Sequence, residues 1–255
     1  MRILLSNDDG IQAPGLNTLA KVLGQSGKHD VYVCAPDRQR SATGHSLTLH
    51  KPLRVQPVDL GSEIKGAWAT TGTPADCVKI AISELMGTAP DVVISGINSG
   101  PNLGTDVLYS GTVAAAMEGA FSELPSIAVS AYKGEQAVFT TGAEFILHFL
   151  ESYADLPKTK RGLININIPV LAVKGVKICK LGVRKYHDTF ERRSDPMGRD
   201  YYWLSGHAIE DGEATDSDVF AVASGYISVT PILFNMTDGE LLKTLEKSPI
   251  AHLAG

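Results

Sequence analysis

The sequence predicts an α/β protein built on a doubly wound, mostly parallel sheet, and three observations carry that prediction. Short apolar runs alternate with segments of helical periodicity. The first two runs, with the helical segment between them, form a complete β-α-β unit. Polar, glycine-containing loops follow the runs, where an open α/β sheet gathers its ligands.

In chain order, Ile3, Leu4 and Leu5 form a buried strand cut by a turn, after which Leu16, Leu19, Ala20 and Leu23 recur at helical spacing until Gly24 and Gly27. Residues 30–35 (DVYVCA) read as a second buried strand stopped by Pro36, and the crossover between the two is expected to be right-handed. Residues 47–55 alternate but are broken by Pro52, which predicts short strands or a flap. Thr73 is a helix N-cap with Pro74 at the first helical position, and Cys77, Val78, Ile80, Ala81 and Leu85 supply the buried face. Residues 91–95 are the next strand. A glycine-rich stretch, residues 96–104, then leads past Asp106 and Tyr109 to Ser110, Gly111, Thr112 and an alanine-rich helix. A further strand at 126–130, a helix at 136–153 and a strand at 162–169 complete the alternation.

The pattern changes after Pro169. Residues 176–181 and 201–204 read as strands flanking the turn former at 195–198, a projecting hairpin with Arg184, Lys185, Arg192, Arg193 and Arg199 around it. A short helix at 217–222 and a last strand at 226–231 follow. The expected division is a main domain over residues 1–169 and a C-terminal extension over 170–255, the latter comprising hairpin, last strand and C-terminal helix.

A chain of 255 residues, 44% hydrophobic and 20% charged, is long enough for one large core. Its net charge of -5 argues against nucleic acid as a partner, since a polyanion needs a positive stripe, whereas a small anion can bind through a metal. Cys34, Cys77 and Cys179 show neither CxxC spacing nor an even count, so they are expected to be reduced core residues. The N-terminus reaches Asp8 too soon for a signal sequence, and no apolar run has membrane-spanning length. The cytoplasm is the expected compartment, with no membrane partner.

The segment Ser6-Asn7-Asp8-Asp9-Gly10 sets two carboxylates at the end of a buried strand. Adjacent carboxylates repel and are costly to desolvate, so a cation is their natural companion, and magnesium or manganese accepts such oxygen ligands. An ordinary Asp-Gly turn is the competing reading, and these five residues alone do not separate the two. Position favours the cation, because residues 38–46 and 96–104 follow other strands and should converge on the same edge. Ser110 can cap the next helix, whose free N–H groups suit an anion, and Gly111 lets a phosphate approach.

Several stretches, in order, carry a resemblance: RILLSNDDGIQAPG (residues 2–15), APDRQRSATGHSLTL (35–49), GTPADCV (72–78), PDVVISGINSGPNLG (90–104), YSGTVAAAMEG (109–119), LININIP (163–169) and GYISVTP (225–231). With these the chain resembles the SurE family of metal-dependent nucleotidases and phosphatases, nearly end to end. The resemblance implies a Rossmann-like, three-layer domain with a smaller C-terminal extension used in homodimer or homotetramer assembly. It implies one divalent ion per subunit, Mg2+ or Mn2+, held by Asp8, Asp9, Ser41 and Asn98. The implied substrates are nucleoside 5′- and 3′-monophosphates, with short polyphosphate as a further possibility in the family.

On this reading Asp8 and Asp9 are catalytic as well as metal-binding, and Asn98, Ser110, Gly111 and Thr112 bind the phosphate. Whether an activated water or Asp8 itself attacks phosphorus stays open. His45 is either an acid for the leaving oxygen or a loop histidine bonded to neighbours, and Arg38 and Arg40 either neutralise phosphate or pair at the loop base. Asn165 and Asn167 are expected to buttress the sheet end. The alternative is a magnesium-binding receiver-like or nucleotide-binding module without hydrolysis. A receiver needs a phospho-accepting aspartate at a later strand end, where this chain has Ile94, Ser95 and Gly96, and the first turn lacks the GxGxxG of a dinucleotide site.

Overall fold

The computed structural model describes residues 1–153, 162–170, 172–209 and 214–253. A nine-stranded sheet has the order β3-β4-β2-β1-β5-β6-β7-β11-β8. Its strands are β1 (Arg2–Ser6), β2 (Asp30–Pro36), β3 (Val55–Pro57), β4 (Ile64–Thr70), β5 (Val92–Ser99), β6 (Ser126–Ala131), β7 (Gly162–Ile168), β8 (Val176–Ile178) and β11 (Ile227–Leu233). All neighbours run parallel except β3 against β4 and β11 against β7.

The continuous apolar runs are explained by burial on both faces. Ile3 and Leu5 face α1 (Pro14–Gln25) and α4 (Gln136–Tyr153), whereas Leu4 faces the layer of α2 (Pro74–Ile80) and α3 (Gly111–Phe121). The α2 start is as expected, with Thr73 and Asp76 closing a capping box, and one π-helical turn, Ala81–Leu85, prolongs it. From β1 the chain passes to β2 on one side and later returns to β5 on the other. That reversal is the switch point at which a doubly wound sheet opens a crevice beyond its strand ends.

Residues 47–55 form the expected flap, without strand at 47–54 and with the short β3, beginning at Val55, pairing with the unanticipated β4. One sequence expectation is corrected. The hairpin is not made by residues 176–181. Its strands are β9 (Lys185–Ser194) and β10 (Asp200–Ile209), while β8 joins β11 in the main sheet. The reason is that the arm has no buried face: Phe190, Tyr202, Trp203 and Leu204 are all exposed, so no apolar alternation marks its first strand.

The last strand of the extension, β11, pairs directly with β7, so residues on both sides of position 169 share one sheet. A short helix, α5 (Asp218–Ala223), and an amphipathic helix without buried residues, α6 (Gly239–Glu246), complete the extension. All three cysteines are buried and free. Among the described residues no helix is long and apolar enough to cross a membrane.

The two helices of the second layer are pinned by a buried acid. Glu118 of α3 accepts from Lys79 of α2 at 2.7 Å and lies 2.9 Å from His45 Nε2. The His45 contact, with Lys79 adding to it against the opposing effect of burial, holds the Glu118 carboxyl below its ordinary 4.5. A depressed acid stabilises the fold above its unfolded pKa and loses that contribution as pH falls through the folded value. Glu118→Gln is therefore expected to cost about 1 to 3 kcal/mol at pH 7. Denaturant titrations should show the gap to wild type closing as pH drops from about 5 toward 3.

Candidate active site

Three loops meet beyond the ends of β1, β2 and β5 and line a cavity of about 700 Å³ that includes Asp8, Asp9, Gln39, Ser41, Asn98 and Ser110. The loop after β1 is indeed a turn, but Asn7 closes it. Its Oδ1 accepts the Gly10 N–H at 3.1 Å and its Nδ2 donates to the Gly10 carbonyl at 3.0 Å. The two aspartates are thereby released from turn duty and directed elsewhere.

Asp8 is only 5% exposed and is held at the N-terminus of α3. Thr112 Oγ1 donates to its Oδ1 at 2.5 Å, and the Thr112 N–H donates as well. Burial pushes its carboxyl up to about 6, with Thr112 opposing the shift and the neighbouring Asp9 adding to it. Asp9 accepts the Ser99 N–H at 3.0 Å and the Gln39 amide at 3.4 Å, and burial raises its carboxyl too.

The same Gln39 amide donates to Ser41 Oγ at 2.8 Å, tying the second loop to the first. Asn98 donates its Nδ2 to the Gly100 carbonyl at 2.8 Å, which leaves its side-chain oxygen for another partner. Deeper in the sheet, Asn165 and Asn167 donate to the Asn102 carbonyl, and Asn167 accepts its N–H at 2.8 Å. Both asparagines thus buttress the third loop. Asp218 does the same from α5, accepting the Gly104 N–H at 2.9 Å.

Two of the expected phosphate binders support Asp8. Thr112 is wholly buried with its hydroxyl committed to Asp8, and a Cβ on Gly111 would lie 2.7 Å from the Asp8 Cβ. The glycine is needed so that the aspartate can reach the helix end. Ser110 caps the helix, accepting the Val113 N–H at 3.1 Å, and faces the cavity. His45 is bonded to Glu118, stacks on Phe121 and lines a second cavity. Arg40 donates to the Thr71 carbonyl at 2.8 Å and lies 3.6 Å from Asp37, a loop-base role. Gln39, Asn102 and Asp218 had no predicted role, because each acts through a partner distant in sequence.

The donor set suits a hard cation. Among the described residues neither Asp8 nor Asp9 has a basic partner, and no cluster of three or more His, Cys, Asp or Glu side chains exists. Two carboxylates with a hydroxyl and an amide oxygen lining one cavity are an all-oxygen set, which magnesium and manganese accept and which zinc or copper would not favour. Asp106, the acid nearest to a receiver's phospho-accepting position, is instead bound by Arg184 and Tyr186.

Comparison with known proteins agrees with this architecture. The family model described as "Survival protein SurE" matches residues 3–188. A protein named 5′-nucleotidase SurE from Gloeobacter violaceus is 51% identical over 241 residues, covering 93% of this chain and 91% of its own length. Its namesake from a Synechococcus strain is 49% identical over 252 residues, covering 97% of each chain. The crystal structure of the SurE protein from Aquifex aeolicus superposes with a TM-score of 0.82 at 37% identity, covering 96% of this chain and 98% of the other. With the converging loops, the paired aspartates and these relatives together, the chain belongs to the SurE family.

Proposed function

We propose that this chain is a divalent-metal-dependent phosphomonoesterase that hydrolyses nucleoside monophosphates to nucleoside and phosphate. Relatives about half identical to it are named 5′-nucleotidases, which supports the 5′-nucleotidase activity. The observation that carries the metal-dependent chemistry is the pair of carboxylates, Asp8 buried and Asp9 half-buried, with two neutral oxygens, around one cavity at the switch point of the sheet. Extension of the activity to 3′-monophosphates and short polyphosphate rests on the family resemblance.

In this reading Asp8, Asp9, Ser41 and Asn98 hold one Mg2+ or Mn2+ per subunit. The ion supplies charge neutralisation for phosphate oxygens and acidifies a water. Asn98 and Ser110 orient the phosphate, while Gly111 and Thr112 hold Asp8 against the helix end. A water attacking phosphorus would displace the nucleoside oxygen as the ester P–O bond breaks, and one of the two aspartates would take the water's proton and pass it to that oxygen, which leaves as the nucleoside hydroxyl. The exposed aromatic face of the hairpin and the unburied helix α6 are the surfaces on which a homodimer or homotetramer would form, in the cytoplasm.

Phosphate release from AMP should be abolished by EDTA and restored by Mg2+ or Mn2+, and Asp8→Asn should lower kcat at least about a hundredfold. Release that persists in EDTA would refute metal dependence. Without a cation, Asp8→Asn also removes a buried charge that Asp9 repels, so in EDTA it should be more stable than wild type, by about 1 to 2 kcal/mol, and melt at a higher temperature. Adding Mg2+ should then raise the melting temperature of wild type and leave that of the variant where it was.

A further inference from the structure

The root of the hairpin and the third loop of the site are sewn together. Asp218 accepts N–H groups from both Gly104 and Gly182, at 2.9 and 2.8 Å. Gly104 has φ +51, and a Cβ there would lie 2.7 Å from the Gly182 carbonyl oxygen, so the two backbones can meet only at glycine. Thr105 donates to the Arg184 carbonyl at 2.8 Å. Asp106 accepts from Arg184 at 2.7 Å and from the Tyr186 hydroxyl at 2.6 Å.

The consequence lies at the mouth of the cavity. Tyr186 and Leu204 line the same cavity as Asp8 and Asp9. They share one face of the hairpin, because Leu204 pairs with Phe190, an even number of residues from Tyr186. The Tyr186 ring is tied by its hydroxyl and has the Arg184 guanidinium 5.6 Å from its centroid, yet it remains 44% exposed. An aromatic ring already fixed in one place loses little entropy when a flat partner stacks on it.

We propose that Tyr186 is the stacking platform for the nucleobase, so that the hairpin supplies part of the substrate site as well as a surface for assembly. The inference rests on the phosphomonoesterase reading, which puts the phosphate at the inner end of the cavity and the base toward its rim. Stacking uses the π-face that every base possesses, so Tyr186 confers preference for nucleotides over simple phosphate esters and little discrimination among bases. The second cavity, about 420 Å³ and lined by His45, Met117, Phe121 and Phe234, is apolar but shares only Ser110 with the first.

The test compares AMP with ribose 5-phosphate, which keeps the sugar and phosphate and lacks the base. In Tyr186→Ala and Tyr186→Leu the ratio of kcat/KM for AMP to that for ribose 5-phosphate should fall about tenfold, mainly through the KM for AMP. Tyr186→Phe, which restores the ring, should bring the ratio back to within about threefold of wild type. A ratio unchanged in the Ala and Leu variants, or one that falls in Phe121→Ala instead, overturns the proposal. Adenosine titrated in EDTA provides a readout independent of turnover: Tyr186→Leu should bind it at least about fivefold more weakly than wild type. Equal affinities would overturn the proposal. If wild type hydrolyses neither ester, the phosphomonoesterase reading falls, while the adenosine titration still decides the role of Tyr186.

Discussion

Burying Asp8 beside Asp9 at the end of a parallel strand is the costly step around which this edge of the molecule is organised. Two neighbouring carboxylates, one buried and one half-buried, raise each other's energy, and among the described residues no basic side chain is brought up to neutralise them. Partial compensation comes from the backbone: the positive end of α3, through Thr112, holds one acid, and the Ser99 N–H holds the other. What these dipoles leave uncompensated is a concentrated negative charge facing a cavity of neutral oxygens, the condition under which a hard cation binds.

The same constraint explains the precision demanded of the surrounding loops. A loop that offers ligand oxygens has to be held still, yet it cannot fold against an apolar core without burying its own polar backbone. Here the holding is done by side chains reaching from neighbouring elements. Asn165 and Asn167 grip Asn102 from β7, Asp218 grips Gly104 from α5, and Asn7 closes the first turn. The Asn165 and Asn167 amide groups and the Asp218 carboxylate, polar groups that a buried strand or helix would ordinarily avoid, are paired in this way with loop backbone.

Asp218 also accepts from Gly182, so the C-terminal extension is joined to the site through one carboxylate. This joint makes the division at residue 169 a matter of chain order more than of mechanics: β11 completes the sheet, α5 braces the third loop, and the hairpin rises from the cavity rim.

The sequence by itself determined the α/β class, the principal strands and helices, the Thr73 and Ser110 caps, and the identity of Asp8 and Asp9 as the centre of interest. These features are written in local periodicity, in capping residues that act within one turn, and in motifs that survive as contiguous strings. Only the tertiary structure decided that Thr112 and Gly111 serve Asp8, that His45 belongs to Glu118, and that Tyr186 borders the cavity. It also decided which strands make the hairpin, because an arm exposed on both faces carries no apolar period to read. The physical reason is common to all of these: hydrogen bonds between residues 70 to 110 positions apart depend on where the parallel sheet brings its loops together, and the spacing of residues along the chain contains no record of that distance.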